Sequence, residues 1–367
     1  MGTIIYLAGT SWDAVAGTDK NLATALAQEN HVLWVDPPVS VLGVLRSRVA
    51  STQAPQLEQV GERIVRLRTV GPPGVTRPGL RRCTEVSYHQ AVRAAVKKLR
   101  LQAPDTICAS PILTFPQGVG GTRLYFVTDD WDAGAALMGF SAQHLARVRK
   151  INAAKATVVA AVSEHLAGIL TERLGRDVTV VPNGCRLKSS AYATNPGFAR
   201  AALVGQLNER LNFDVLDAVA DTGIHVAVAG PKTAKSPRAV SRLNAFLSRP
   251  NVHWHGVLSS AAVDELLASS NVGLTPYADT PFNRASFPLK TLEYLAAGLA
   301  VVATHLPPAQ FGAATVRLAR EADDFARAVT ELAADWPTDA ERARQAEQIK
   351  GHSWEHRAEQ VEQLLLQ

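Results

Sequence analysis

Cysteine is scarce in this chain: three in 367 residues, at Cys83, Cys108 and Cys185. They are odd in number and far apart, so they make neither a disulfide framework nor a metal set, and they suit a reducing compartment. No apolar stretch approaches the ~20 residues that span a bilayer. The run Thr3 to Gly9 is too short for the apolar region of a secretory signal and has no basic flank. A Gly-x-Ser-x-Gly elbow and a Walker lysine loop are both missing, which argues against serine-hydrolase and P-loop chemistry. The first strand-to-helix loop also lacks the G-x-G-x-x-G spacing of a dinucleotide site. A cytoplasmic protein is the expectation that remains.

Apolar residues, by contrast, are plentiful at 47%. A chain of this length is too long for one ordinary core and fits two domains of about 150–200 residues. Strand-like runs alternate with helical periodicity twice over. In the first half the strands are Ile4–Ala8, His31–Val35, Thr106–Ala109, Leu124–Val127, Val158–Val162 and Val178–Val181. The helices between them cover Asp19–Glu29, Glu85–Arg100, Ser141–Ala154 and Glu164–Arg173. Pro182-Asn183-Gly184 is a turn, and residues 185–199 read as a linker. The alternation then restarts with strands at Ala202–Gly205, Ile224–Ala229, Val252–His255 and Val272–Leu274. Helices at Asn212–Ala220, Ala239–Leu247 and Ala261–Ala268 separate them. Such alternation predicts an α/β chain with two doubly wound parallel sheets, over residues 1–190 and 200–350. Ligands of open α/β sheets sit outside the carboxyl ends of the strands.

The most informative segment runs from Asn283 to Thr304. Helical spacing puts Leu289, Leu292, Leu295 and Ala296 on one stripe, and Gly298 stops the helix before an interior strand. Pro288 suits the first turn, where its missing N–H costs nothing. Lys290 and Glu293 stand three residues apart in the first two turns and are therefore neighbours. A helix N-terminus attracts anions through its free N–H groups and dipole. Lys290 adds a charge for phosphate, and Glu293 an acceptor for sugar hydroxyls. As a mere exposed ion pair the two would contribute only about 0.2–0.5 kcal/mol.

This segment resembles the donor element of retaining GT-B glycosyltransferases, closest to teichuronic-acid-type and family 4-like enzymes with the pattern P-x-K-T-x-E-Y-x-A-x-G-x-x-V-V-x-T. Pro288, Lys290, Thr291, Glu293, Tyr294, Ala296, Gly298, Val301, Val302 and Thr304 match it. Many relatives carry a second glutamate eight residues before the first; here that position is Ala285. The resemblance implies two facing Rossmann-like domains and a final helix, residues 351–367, that crosses back onto the first. It further implies donor contacts from Gly205, Arg210, Ser286, Pro288, Leu289, Lys290, Thr291 and Glu293. The loop Gly205-Gln206-Leu207-Asn208-Glu209-Arg210 resembles the family loop whose arginine meets the donor diphosphate. A guanidinium holds phosphate bidentately and does not titrate away. The implied reaction moves a sugar from a UDP-, GDP- or dTDP-sugar to an acceptor hydroxyl, with retention and with no metal or other cofactor. A sugar-nucleotide epimerase and a non-catalytic sugar-nucleotide binder are the alternatives.

Thr128-Asp129-Asp130-Trp131-Asp132 contains an Asp-x-Asp, a metal motif in the other glycosyltransferase fold. It lies far in sequence from Arg210 and Lys290, whose charges supply what a metal would. Relatives present a residue at this strand end to the transferred sugar, frequently histidine, where this chain has Asp129 or Asp130. The aspartates either serve the sugar, with Asp130 the catalytic candidate, or cap the next segment. In the first loop, Asp13 and Gly17 either orient an acceptor or shape a turn. His253 and His255 point the same way from a short strand, with no third ligand in sequence. Gly230-Pro231-Lys232 occupies the usual place of a base-contacting loop.

Charge is unevenly spread. Residues 1–190 hold 22 Lys+Arg against 14 Asp+Glu, and residues 191–367 hold 16 against 19, within a net +5. Arg77, Arg81, Arg82, Arg93, Lys97, Lys98 and Arg100 form a basic run. It is either a solvated helix face or a surface for an acidic acceptor or for anionic lipid at the inner face of a membrane, where each cation contributes about 1 kcal/mol. Aromatic residues do not interleave with it, so nucleic acid is not expected.

Overall fold

The computed structural model describes residues 2–14, 16–40, 56–72, 79–187, 197–307, 316–336 and 338–367. Arg77 of the basic run and residues 188–196 of the expected linker lie outside the described residues. Two units divide the chain: Met1–Asn183 with Trp354–Gln367, and Gly184–Ser353.

In the first unit the strands are β1 (Thr3–Leu7), β2 (His31–Val35), β3 (Val39–Ser40), β4 (Gln56–Gly61), β5 (Ile64–Arg68), β6 (Val70–Gly71), β7 (Asp105–Cys108), β8 (Arg123–Val127), β9 (Val158–Ala161) and β10 (Thr179–Val180). The helices are α1 (Thr18–Leu26), α2 (Leu80–Lys98), α3 (Ala135–Met138), α4 (Ala142–Lys155) and α5 (Glu164–Leu174). Eight strands form one sheet in the order β10-β9-β8-β7-β1-β2-β5-β4, parallel except for the β4–β5 pair. Its central strands are buried along almost their whole length, which is why they read as continuous apolar runs. The order reverses at β1, between β7 and β2, so this unit has its topological switch point there. The last helix of the chain (Trp354–Leu365) belongs to this unit, and Asn30 Nδ2 donates to Glu362 Oε1 at 2.6 Å.

The second unit holds β11 (Arg200–Val204), α6 (Phe213–Asp221), β12 (His225–Ala229), α7 (Pro237–Leu247), β13 (Val252–Trp254), α8 (Ser260–Ala268), β14 (Val272–Thr275), α9 (Pro281–Ala285), α10 (Leu289–Ala296), β15 (Ala300–Thr304), β16 (Val316–Ala319), α11 (Ala322–Ala333) and α12 (Asp339–Gln348). Six parallel strands run β13-β12-β11-β14-β15-β16. Local chemistry sets the helix starts. Asn212 accepts the N–H groups of Asp214 and Val215, and Ser236 and Ser259 cap α7 and α8 the same way. One face of the sheet packs on α6, α7 and α11 around Val215, Phe246 and Phe325; the other packs on α10 through Leu292, Tyr294 and Leu295.

Two expectations need correcting. Leu289 is half-buried, and the buried stripe of α10 runs through Thr291, Leu292, Tyr294, Leu295 and Ala296. Pro288 stands just before the helix as its cap residue and not within the first turn. Residues 56–71 and 316–348, to which the sequence reading gives no element, hold the β4–β5 hairpin, β6, β16, α11 and α12. The polar strand Gln56–Gly61 is paired on one side only and only partly buried, so it shows no apolar run.

Tyr294 ties α10 to the sheet. Its ring lies so close to Gly273 of β14 that a Cβ there would come within 2.3 Å of it. Its hydroxyl accepts the buried N–H of Val204, the last residue of β11, at 2.8 Å. Tyr294→Phe leaves that N–H unsatisfied, so the urea midpoint should fall by an amount equivalent to about 1–3 kcal/mol. An unchanged midpoint would refute this role.

Candidate functional site

Val204 is followed at once by Gly205, so the Tyr294 bond anchors the loop that carries Arg210. Gly230 ends β12 beside it with φ +138, and a Cβ there would sit 1.8 Å from the Gly205 carbonyl oxygen. Only glycine permits this approach. Gly205 in turn lies beneath the Lys290 stem, whose Cε would be 3.8 Å from a Cβ at that position. The structure thus brings together Gly205, Lys290 and Glu293, and Lys290 Nζ donates to Glu293 Oε2 at 2.5 Å. Both side chains stay about a quarter exposed, at 24% and 28%. Glu293 therefore holds the ammonium in place while leaving it reachable.

Arg210 is clamped more tightly. Its guanidinium carbon lies 5.2 Å from the Tyr277 ring centre and 4.9 Å from that of Phe282. Nε donates to Asn283 Oδ1 at 2.9 Å, and Asn283 Nδ2 donates back to the Arg210 carbonyl at 3.0 Å. Asn283 is buried, and its N–H is held by Thr280, which caps α9. The two terminal nitrogens of Arg210 have no hydrogen-bond partner among the described residues. Rings fix the plane and Asn283 fixes the edge, so a planar fork is presented for an anion. Arg210, Asn283, Ser286, Pro288, Thr275 and Thr304 line a common small pocket.

Other predicted donor residues have internal duties. Ser286 Oγ donates to the Phe282 carbonyl at 2.9 Å. Thr291 is fully buried, with Oγ1 3.5 Å from Thr275 Oγ1, so it packs helix on strand. Sequence reasoning passed over Asn283, Tyr277 and Phe282, because nothing in their spacing marks them as supports of Arg210. Trp254 was noticed only for its histidine neighbours. It donates Nε1–H to the Gly230 carbonyl at 3.0 Å and carries Lys232 4.0 Å above its ring, while His253 stacks on His225.

In the first unit Asp130 takes the capping role that was one of its two expected alternatives. It is buried with both oxygens on Arg173, at 2.9 and 3.3 Å, and Oδ1 also accepts the Ala133 N–H. Asp132 pairs with Arg149 and Arg173. Two guanidiniums thus occupy the Asp-x-Asp, whereas Asp129 stays half-exposed at the end of β8. Asp13 is exposed at 69% but bonded by Arg66, which holds its carboxyl below the usual range. Arg66 is buried and also binds Asp36 and Ser11, so it fixes the first loop. Gly17 is extended, with open space where a Cβ would go. Asp19, unremarked in the sequence, lies beneath that loop at the switch point. It accepts from Gly9 N at 2.8 Å and Tyr6 Oη at 3.2 Å.

Comparison with known proteins agrees with this architecture. Residues 202–335 match the family model described as glycosyl transferases group 1. The chain has the GT-B fold. Sucrose-phosphate synthase from Thermosynechococcus elongatus superposes with a TM-score of 0.75 at 16% identity, covering 99% of this chain and 98% of that one. An E. coli trehalose-6-phosphate protein bound with UDP-2-fluoro glucose gives 0.67 at 14% identity, covering 100% and 99%. A putative teichuronic acid biosynthesis glycosyltransferase of Bacillus subtilis (strain 168) is 44% identical over 62 residues. That match spans 17% of this chain and only 16% of the relative. No helix among the described residues is long and apolar enough to cross a membrane.

Burial, helped by Asp129, raises the Asp19 carboxyl to about 6, although the Gly9, Tyr6 and Thr10 bonds favour its charged form. An acid whose folded pKa is raised binds more protons folded than unfolded between about pH 4 and 6, so stability falls as pH rises through that window. Asp19→Asn removes the effect. The wild-type minus variant stability difference should decline by up to ~3 kcal/mol from pH 4 to 6.5 and be flat above. A difference independent of pH would refute it.

Proposed function

We propose that the chain is a glycosyltransferase that takes a sugar from a nucleoside-diphosphate sugar held by the second unit and transfers it to an acceptor hydroxyl, with retention. The observation that carries this is the paired presentation of Lys290 beside Gly205 and Arg210 between its two rings. Two held cations facing one sheet edge suit a diphosphate, whose negative charge grows as the sugar leaves. Glu293 orients Lys290 and offers its second oxygen to a donor hydroxyl. The exposed Trp254 face and Lys232 lie at the next strand end, where an aromatic base and its ribose find a stacking surface. The leaving phosphate itself would accept the acceptor proton, so no separate base is required.

In this reading Asp130 positions its loop through Arg173. Arg210 and Lys290 take the place of a metal. The acceptor belongs to the first unit, whose surplus of cations suits a phosphorylated or membrane-borne substrate at the cytoplasmic face.

A thermal-shift panel of UDP, GDP and dTDP identifies the base, since a ligand at a hundred times its Kd adds ~2.7 kcal/mol. Lys290→Ala and Arg210→Ala should each lower turnover at least ~100-fold, about 2.7 kcal/mol in the barrier, with folding intact. Near-wild-type turnover in either variant rejects the assignment. Activity should also persist in excess EDTA; full loss on chelation, restored by manganese, would return the Asp130–Asp132 pair to a metal role.

A further inference from the structure

A second pocket lies in the first unit, away from every residue assigned above. Pro38, which follows β2, and the loop Ile112-Leu113-Thr114, after β7, form one wall. Arg81, Thr84, Glu85 and Tyr88 of α2 and His144, Arg147 and Val148 of α4 form the rest. It therefore sits at the carboxyl ends of parallel strands flanking the switch point, where α/β sheets place ligands. Its interior volume is about 30 Å³, and it opens to solvent. Roughly 10–15 Å³ of such volume admits one water. That room suits one small polyatomic group and not a sugar ring.

Two residues of this lining carry a buried polar atom with no partner among the described residues. Tyr88 is 2% exposed and His144 7%, yet Tyr88 Oη and His144 Nδ1 have no hydrogen bond there. A buried hydroxyl or ring nitrogen left unsatisfied costs about 1–3 kcal/mol, so such atoms call for a ligand. Arg81 and Arg147 have no ion-pair or hydrogen-bond partner among the described residues, although both are half-buried. Arg81 and Tyr88 are seven apart on α2, and His144 and Arg147 three apart on α4, so each helix offers one guanidinium and one uncharged donor from one face. Glu85 is the one acid in the lining, and Thr114 Oγ1 already donates to it at 2.7 Å. The field on His144 is accordingly positive: burial, then Arg81 and Arg147, lower its pKa against the single opposing effect of Glu85.

We propose that this pocket, formed by Arg81, Tyr88, His144 and Arg147, binds the phosphate group of the acceptor substrate. Resting on the transferase reading, this names the acceptor's chemical class. Two forks and two further donors match a phosphomonoester's three outward oxygens better than a carboxylate's two. The phosphate can belong to a soluble sugar phosphate or to a lipid headgroup, and the shared chemistry is what the pocket reads.

The full chain is titrated calorimetrically with inorganic phosphate and glucose 6-phosphate, and sedimented with phosphatidic acid or phosphatidylcholine vesicles. UDP is titrated in parallel as a reporter of the second unit. Arg147→Gln should weaken phosphate binding at least ~10-fold while UDP affinity stays at the wild-type value. Tyr88→Phe removes an unsatisfied hydroxyl, so the empty protein should melt at the same or a higher temperature. It should nonetheless bind phosphate several-fold more weakly, a split that a purely structural tyrosine would not give. Binding of glucose 6-phosphate without vesicle binding marks a soluble acceptor; sedimentation with phosphatidic acid alone, lost in Arg81→Gln/Arg147→Gln, marks a lipid. Wild-type affinity in Arg147→Gln, or no binding to any phosphate probe, overturns the proposal. Loss of UDP binding with phosphate binding intact would instead sink the donor assignment.

Discussion

The hydrogen bond between Tyr294 and the backbone of Val204 is the constraint on which the second unit's site depends. It joins the helix that carries Lys290 and Glu293 to the strand end that launches Gly205 and the Arg210 loop. In the proposed reading both groups must hold a position relative to one diphosphate, and loops alone are too mobile for that. Gly273 makes the bond possible by letting the tyrosine ring lie flat on β14. Arg342 then closes the far end of α10, donating to the carbonyls of Ala297 and Ser270 beside the left-handed turn at Gly298. The helix is thus held at both ends, and its cationic face is left for the ligand.

The first unit solves a similar problem with buried charge. Arg66 is nearly inaccessible and gathers Asp13, Asp36 and Ser11, while Asp36 also holds the N–H groups of Trp12 and Trp34. Truncating one member of such a network would leave the others desolvated and unpaired, so the network fixes the residues it joins after β1. Asp130 with Arg173 does the same after β8. Tyr88 Oη and His144 Nδ1 share their lack of a partner among the described residues with Thr69 Oγ1 and Tyr125 Oη, but they belong to residues that line a pocket beside Arg81 and Arg147.

Much of this was legible in the chain, and the limits have physical causes. Strands buried on both faces announce themselves as apolar runs, so His31–Val35 was read with its observed bounds. The matched motif placed Lys290, Glu293 and Gly298 correctly because helix spacing and a left-handed stop are local properties. Arg210 was legible as a cation but not as a clamped one. Its supports come from Tyr277, Phe282 and Asn283, some 70 residues away, where no local pattern foretells the contact. The internal contacts of Thr291 and Asp130 stayed hidden for the same reason. A hydroxyl or carboxylate in a motif looks available until the fold shows it facing Thr275 or Arg173. Tyr88 and His144 carry no signal at all, since a missing partner is visible only in three dimensions.

The basic surplus of the first unit also changes meaning once the partners are known. Arg66, Arg149 and Arg173 are consumed by aspartates, so they add nothing to an external field. The remaining run along α2 does not form one patch. Arg81 lines the pocket at the carboxyl edge of the sheet, whereas Arg93, Lys97 and Arg100 line a separate groove with Gly118 and Val119. Sixteen residues of helix separate Arg81 from Lys97, about 24 Å at 1.5 Å per residue. That exceeds two Debye lengths at physiological salt, so the two groups of cations act independently. Attraction to an anionic surface can therefore involve either end of α2, but only the Arg81 end couples charge to buried, unsatisfied donors. Diffuse attraction fades with salt, whereas a phosphate seated between Arg81 and Arg147 is partly desolvated and screened far less.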